Sequence, residues 1–107
     1  MNLNTSTTRY ECPEGHIFIK IADLNGRIWI DATIGHTGEQ NMVSAHVFSA
    51  LAGTAIRGGV PALKVAHIMK GCTHEDSNHL LARNNGDVAL SMADAIGREI
   101  EKVLCDT

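Results

Sequence analysis

Asn25-Gly26 separates two runs that alternate with period two, a pattern that points to an antiparallel hairpin. Before it, Ile17, Ile19 and Ile21 alternate with His16, Phe18, Lys20 and Ala22. After it, Ile28, Ile30, Ala32 and Ile34 alternate with Arg27, Trp29, Asp31 and Thr33. Asn-Gly favours a two-residue type I′ turn, because both central residues need positive φ. Pairing Leu24 with Arg27 predicts Ile21 opposite Ile30, Ile19 opposite Ala32 and Ile17 opposite Ile34, all on one buried face. The other face pairs Lys20 with Asp31, Ala22 with Trp29 and Phe18 with Thr33. Phe18 and Trp29 there are either covered by another element or subunit, or form a stacking platform for a ligand.

The rest of the chain reads as mainly helical. Residues 35–40 are a loop. A first helix is predicted from Asn41 to Arg57, with Val43, Val47, Leu51 and Ala55 as its apolar stripe, widened by Phe48 and Ala52. His46, Ser49, Gly53 and Arg57 form the opposite stripe, where Gly53 permits close approach of another backbone or is simply tolerated. Gly58-Gly59 stops the helix and Pro61 starts a second, short one to about Lys70, closed by Gly71. Residues 72–87 are polar, except for a His79–Ala82 segment that is either a strand or a tucked loop. A third helix is expected from about Ser91 to Cys105. Ser91 and Asp94 have capping-box spacing, and Met92, Ile96, Ile100, Val103 and Leu104 are its apolar stripe. Asp94, Arg98, Glu101 and Lys102 are placed on its solvent side. Residues 1–9 read as a flexible lead-in and residues 10–107 as one domain. The expected class is α+β: an antiparallel hairpin or sheet packed on two to three helices.

Composition narrows the function classes. A net charge of −3 over 107 residues gives no domain-wide basic field, which argues against duplex nucleic acid as a partner. No apolar run approaches the roughly 20 residues of a membrane span. The N-terminus lacks the apolar core of a secretory signal, so a cytoplasmic location is expected. The odd set Cys12, Cys72 and Cys105 suits reduced thiols rather than a disulfide framework. With only 4% aromatic residues, the core must be aliphatic and alanine-rich, a composition that favours a homo-oligomer.

The segment Ala89-Leu90-Ser91-Met92-Ala93-Asp94-Ala95-Ile96-Gly97 resembles the motif that names the TSCPD domain, Thr-Ser-Cys-Pro-Asp followed by Ala-Ile-Ala at a helix start. Arg57-Gly58-Gly59-Val60-Pro61 and Lys70-Gly71 are similar to the family's basic-Gly-x-Pro corner and its close of the second helix. Order and spacing match from Tyr10 to Leu104. Of the naming motif Ser91 and Asp94 remain, while Leu90, Met92 and Ala93 replace Thr, Cys and Pro, so a thiol role at that helix start is lost. The resemblance implies either an accessory domain of adenosylcobalamin-dependent ribonucleotide reductase or a stand-alone bacterial or phage protein, in neither case an independent catalyst. The chain's size, element order and Arg-Gly-Gly corner are also similar to phage anti-defence proteins of the Thoeris type. Those are oligomeric sponges for cyclic ADP-ribose isomers and cyclic oligonucleotides.

Candidate chemistry centres on anions. Arg57 offers a rigid fork of donors suited to phosphate, and Gly58 and Gly59 beside it can present backbone N–H groups. The same features also describe a helix C-cap with a cation near the helix end. Asp94 and Arg98, near the turn bearing Arg83 and Asn84, form a second candidate: a carboxylate for ribose hydroxyls and an arginine for phosphate. The bland alternative is an i,i+4 salt bridge. Cys12, His16, Cys72, His74 and His79 fit no zinc-ligand spacing, so no metal is assigned. No catalytic residue and no cofactor are assigned. The expectation is a non-enzymatic nucleotide-sequestering protein, with Phe18 and Trp29 as stacking surfaces. The alternative is a reductase accessory domain that binds a reductase subunit.

Overall fold

The computed structural model describes residues 3–35, 39–73 and 88–105. The His79–Ala82 segment, Arg83 and Asn84 lie outside these residues.

Three antiparallel strands form a meander: β1 (Leu3–Cys12), β2 (Gly15–Leu24) and β3 (Arg27–Gly35). The β2–β3 register pairs Leu24 with Arg27, Ile21 with Ile30, Ile19 with Ala32 and Ile17 with Ile34, as the alternation requires. Asn25 and Gly26 take φ of 55° and 85°, both positive as a type I′ turn needs. The Asp23 carboxylate fixes the turn by accepting the Gly26 N–H at 2.8 Å.

The polar N-terminal run departs from expectation. Where sequence suggests a loose lead-in, residues 3–12 are a full strand paired with β2 from Leu3↔Leu24 to Cys12↔Gly15. Ser6, Thr8 and Tyr10 share the inner face, opposite Ile21, Ile19 and Ile17. They read as surface residues because their inward partner is polar. The Glu99 carboxylate, fully buried, accepts from the hydroxyls of Ser6 (3.3 Å), Thr8 (2.6 Å) and Tyr10 (3.0 Å).

Helix α1 spans Glu39–Arg57, α2 Ala62–Met69 and α3 Met92–Ile100, the last running on as a π-helical turn over Glu101–Cys105. Over β1 and β2, Met92, Ala95, Ile96 and Ile100 of α3 complete one core with the sheet isoleucines, Val65 and Ala66. The inner face of α1 also reverses the expected pattern. Ala45, Ser49, Ala52 and Gly53 are buried, whereas Val43, Val47, Phe48 and Leu51 are exposed. The reason lies in what α1 must cover. In the observed register the N–H and C=O groups of Ile28, Ile30 and Ala32 point away from β2, toward an open edge. The Ser49–Gly53–Arg57 stripe runs along that edge. Ser49 Oγ accepts the Ala32 N–H at 3.1 Å, and Arg57 Nη1 donates to the Ile28 carbonyl at 2.6 Å. Between them, a Cβ on Gly53 would sit 3.3 Å from the Ile30 nitrogen, so glycine permits the close approach. Covering an edge strand with polar and small residues protects it from pairing with other chains.

α2 and α3 meet at backbone distance. A Cβ on Gly97 would lie 2.7 Å from the Lys70 nitrogen and 3.0 Å from the Ala66 carbonyl oxygen. The junction is locked by Asp94, which is buried rather than on the solvent side. Its Oδ1 accepts the Gly71 N–H and its Oδ2 the Leu90 N–H, each at 2.8 Å. Ser91 caps α3 by accepting the Asp94 N–H at 3.0 Å and donates to the Cys72 carbonyl at 2.7 Å. The capping-box spacing is therefore real, but the returning carboxylate bonds the residue before the cap.

Candidate functional site

The Arg57 corner is assembled as a structural joint. Beyond its bond to Ile28, Arg57 donates to Thr54 Oγ1 at 3.1 Å, and its guanidinium carbon lies 3.7 Å from the Trp29 ring centroid. The side chain thus wraps the β3 edge and stacks on the outer sheet face. The N–H groups beside it are also engaged. Gly58 donates to the Thr54 carbonyl, Gly59 to Ile56 and Val60 to Ala55, with Gly59 at φ +107°. This is a Schellman closure, so these N–H groups serve the helix end rather than a free phosphate cradle. Trp29 and Phe18 do share the outer face, at 46% and 43% exposure.

Asp94 and Arg98 are brought together, with Arg98 Nε 2.8 Å from Asp94 Oδ2. The pair is an ion contact without the aligned N–H of a hydrogen bond. Arg98 Nη1 reaches the Val88 carbonyl at 3.4 Å. Arg83 and Asn84, expected nearby, lie outside the described residues.

Arg98 also opens onto a groove of about 410 Å3 lined by Leu63, Lys70, Arg98, Glu101, Lys102 and Cys105. Two helical stripes build it. Leu63 lies in the first turn of α2 and Lys70 at its C-cap, while Arg98, Glu101, Lys102 and Cys105 follow i, i+3, i+4, i+7 spacing along α3 and its π-helical extension. Gly97 at the crossing lets the stripes approach closely enough to face one another. Three cations meet one carboxylate here, in a chain whose net charge is negative. Lys70 Nζ holds Glu101 Oε1 at 2.7 Å, and His67 Nε2 lies 3.7 Å from Oε2. The Lys70 hydrogen bond, followed by the charges of Lys70 and His67, keeps the Glu101 carboxyl below its ordinary range. Lys102 is exposed. Burial and then the Glu101 charge push the Cys105 thiol up, away from the thiolate.

Sequence reasoning found Arg98 but missed Lys70 and Lys102. The i,i+4 pair Arg98–Lys102 was visible as a helical stripe. Its meeting with Lys70 depends on how α2 and α3 cross, for which no local signal exists. Glu99 was also missed, although an acid beside Ile96 and Ile100, with hydroxyls alternating along residues 6–10, is the signal that points to it.

Among the described residues no three His, Cys, Asp or Glu side chains gather as a metal ion would need. Nor is any helix among them long and apolar enough to cross a membrane. In comparisons with known proteins, no family model, curated protein or solved structure matches the chain.

Proposed function

We propose that the protein binds phosphorylated nucleotides and sequesters them without turnover. The reading is a phage-type anti-defence sponge acting as a homo-oligomer in the host cytoplasm, with cyclic ADP-ribose isomers or cyclic oligonucleotides as ligands. The observation that carries it is the groove of Lys70, Arg98 and Lys102. Its volume falls in the range of small-molecule sites, and arginine and lysine together supply charge-assisted donors to phosphate oxygens. Leu63 adds an apolar wall against which a base or ribose can pack.

This reading moves the phosphate contact away from Arg57, whose donors already serve the β3 edge and Thr54. The experiment is calorimetric titration with cyclic ADP-ribose isomers and cyclic dinucleotides, followed by heat release and mass analysis of the ligand. Tight binding with release of unchanged ligand is expected. Absence of heat with every nucleotide, together with co-purification of a reductase subunit, would transfer the assignment to a ribonucleotide reductase accessory domain. Conversion of the ligand would contradict sequestration.

A further inference from the structure

Helix α1 is amphipathic in the unusual sense. Its small residues, Ala45, Ser49, Ala52 and Gly53, face the sheet, while Val43, Val47, Phe48 and Leu51 face outward. Leu51 is 63% exposed and, across the groove from it, Ile68 of α2 is 66% exposed. Between the helices lies a cavity of about 430 Å3, whose lining includes Phe48, Leu51, Ala55, Val60, Val65 and Ile68. A lone domain of this size has few large apolar side chains for its core. Placing these outside is costly unless something covers them.

We propose that this α1–α2 face is the interface with a second copy of the same chain. Three observations select that occupant. First, α1 carries no Asp, Glu, Lys or Arg from Gln40 to Ile56, so the α1 ridges of two copies can meet across a two-fold axis without like-charge repulsion, which leaves Lys64 of α2 as the one charged side chain in the cavity lining. Second, Val43, Val47 and Leu51 stand at i, i+4, i+8, a ridge that packs into the matching groove of an identical helix. Third, the areas agree. The exposed parts of Val43, Val47, Phe48, Leu51, Val60 and Ile68 amount to roughly 500 Å2. A stable interface of about 800 Å2 per partner, about 65% apolar as in homodimers, needs a similar apolar area. In the dimer the ridge of one copy fills the α1–α2 cavity of the other.

The surface deepens the homo-oligomer part of the function proposed above, and rests on it, but not on the nucleotide. It also separates two roles on α2. Leu63 and Lys70 line the cationic groove, while Lys64, Val65 and Ile68 line the apolar one. Dimerisation through the second leaves the first open.

The test is sedimentation equilibrium of the full chain at micromolar concentration, for the wild type, Leu51→Asp, Ile68→Asp and a Phe18→Ser control on the outer sheet face. The expected result is a dimer near twice 11.5 kDa, or a multiple of it, for wild type and Phe18→Ser. Each Asp variant should shift at least about ten-fold toward smaller species, with an unchanged far-ultraviolet circular dichroism spectrum. Leu51 and Ile68 are exposed, so each variant tests the other against misfolding. A monomeric wild type, whether or not it binds vesicles or other proteins, overturns both the surface and the oligomer. An oligomer that both folded Asp variants leave intact, or that Phe18→Ser breaks, overturns the surface alone.

Discussion

The Asp94 carboxylate accepts the backbone N–H of Gly71 at 2.8 Å, tying the end of α2 to the first turn of α3. The same carboxylate holds the Leu90 N–H and faces Arg98. One buried acid therefore fixes the crossing that creates the cationic groove. Asp94→Ala should destabilise the fold by roughly 2–4 kcal/mol, because it removes the carboxylate that accepts from Gly71 and Leu90 and faces a partly buried arginine. Asp94→Asn should cost less, since one oxygen remains to accept. Urea denaturation monitored by circular dichroism reads both, as a lower midpoint at constant slope.

Glu99 makes a second polar lock, this time between α3 and β1. Tyr10→Phe removes one hydroxyl bond to a carboxylate and should cost about 1–2 kcal/mol. Glu99→Leu leaves the Ser6, Thr8 and Tyr10 hydroxyls facing an apolar group and should cost more, roughly 2–4 kcal/mol. Coupling between the two sites is measurable in a double-mutant cycle. Additive losses would mean that Tyr10 and Glu99 do not depend on each other.

Gly97→Ala tests the close crossing of α2 and α3. On helix propensity alone alanine would stabilise by up to about 1 kcal/mol. The added methyl meets backbone at 2.7 Å and 3.0 Å, so a net loss of about 1–3 kcal/mol is expected. A raised melting temperature would show that the helices lie further apart.

Cys12 should be the protected thiol. It is 5% exposed, and its thiol donates to the Gly15 carbonyl at 3.2 Å. Burial, then the Glu14 charge, pushes its pKa from 9.0 up to about 12. The folded state thus holds this proton where the unfolded chain releases it. The stabilisation is full below about pH 9 and is lost as pH rises toward 12. At pH 8, iodoacetamide should modify exposed Cys72 rapidly and Cys12 only after denaturation. Equal rates for the two in the native protein would contradict the burial.

The hairpin was legible because its signal is local: one Asn-Gly turn and one alternation specify turn, register and buried face together. Helix boundaries were legible from Gly58-Gly59, Pro61 and Ser91 for the same reason. The orientation of α1 was not. Periodicity identifies a larger apolar stripe and presumes that it faces the core, but Ser49 and Arg57 are drawn to the unpaired edge of β3. β1 was hidden likewise, since its inward residues are hydroxyls whose partner, Glu99, comes from far along the chain. Arg57 looked available for a ligand because sequence shows its charge but not the Ile28 carbonyl and Trp29 ring that engage it. Arg98 kept its place beside Asp94 and shares a helical stripe with Lys102, but their meeting with Lys70 follows only from the crossing of α2 and α3.

The most direct measurement is calorimetric titration of a cyclic nucleotide into wild type, Lys102→Glu and Arg57→Ala, each checked for folding. Lys102 is exposed, so its charge can be reversed without opening the core. If the groove holds the phosphate, Lys102→Glu should weaken binding by roughly ten-fold or more and leave the melting temperature unchanged. Arg57→Ala should lower the melting temperature and leave affinity nearly intact. Wild-type affinity in folded Lys102→Glu, or no binding of any cyclic nucleotide by the wild type, would contradict the account.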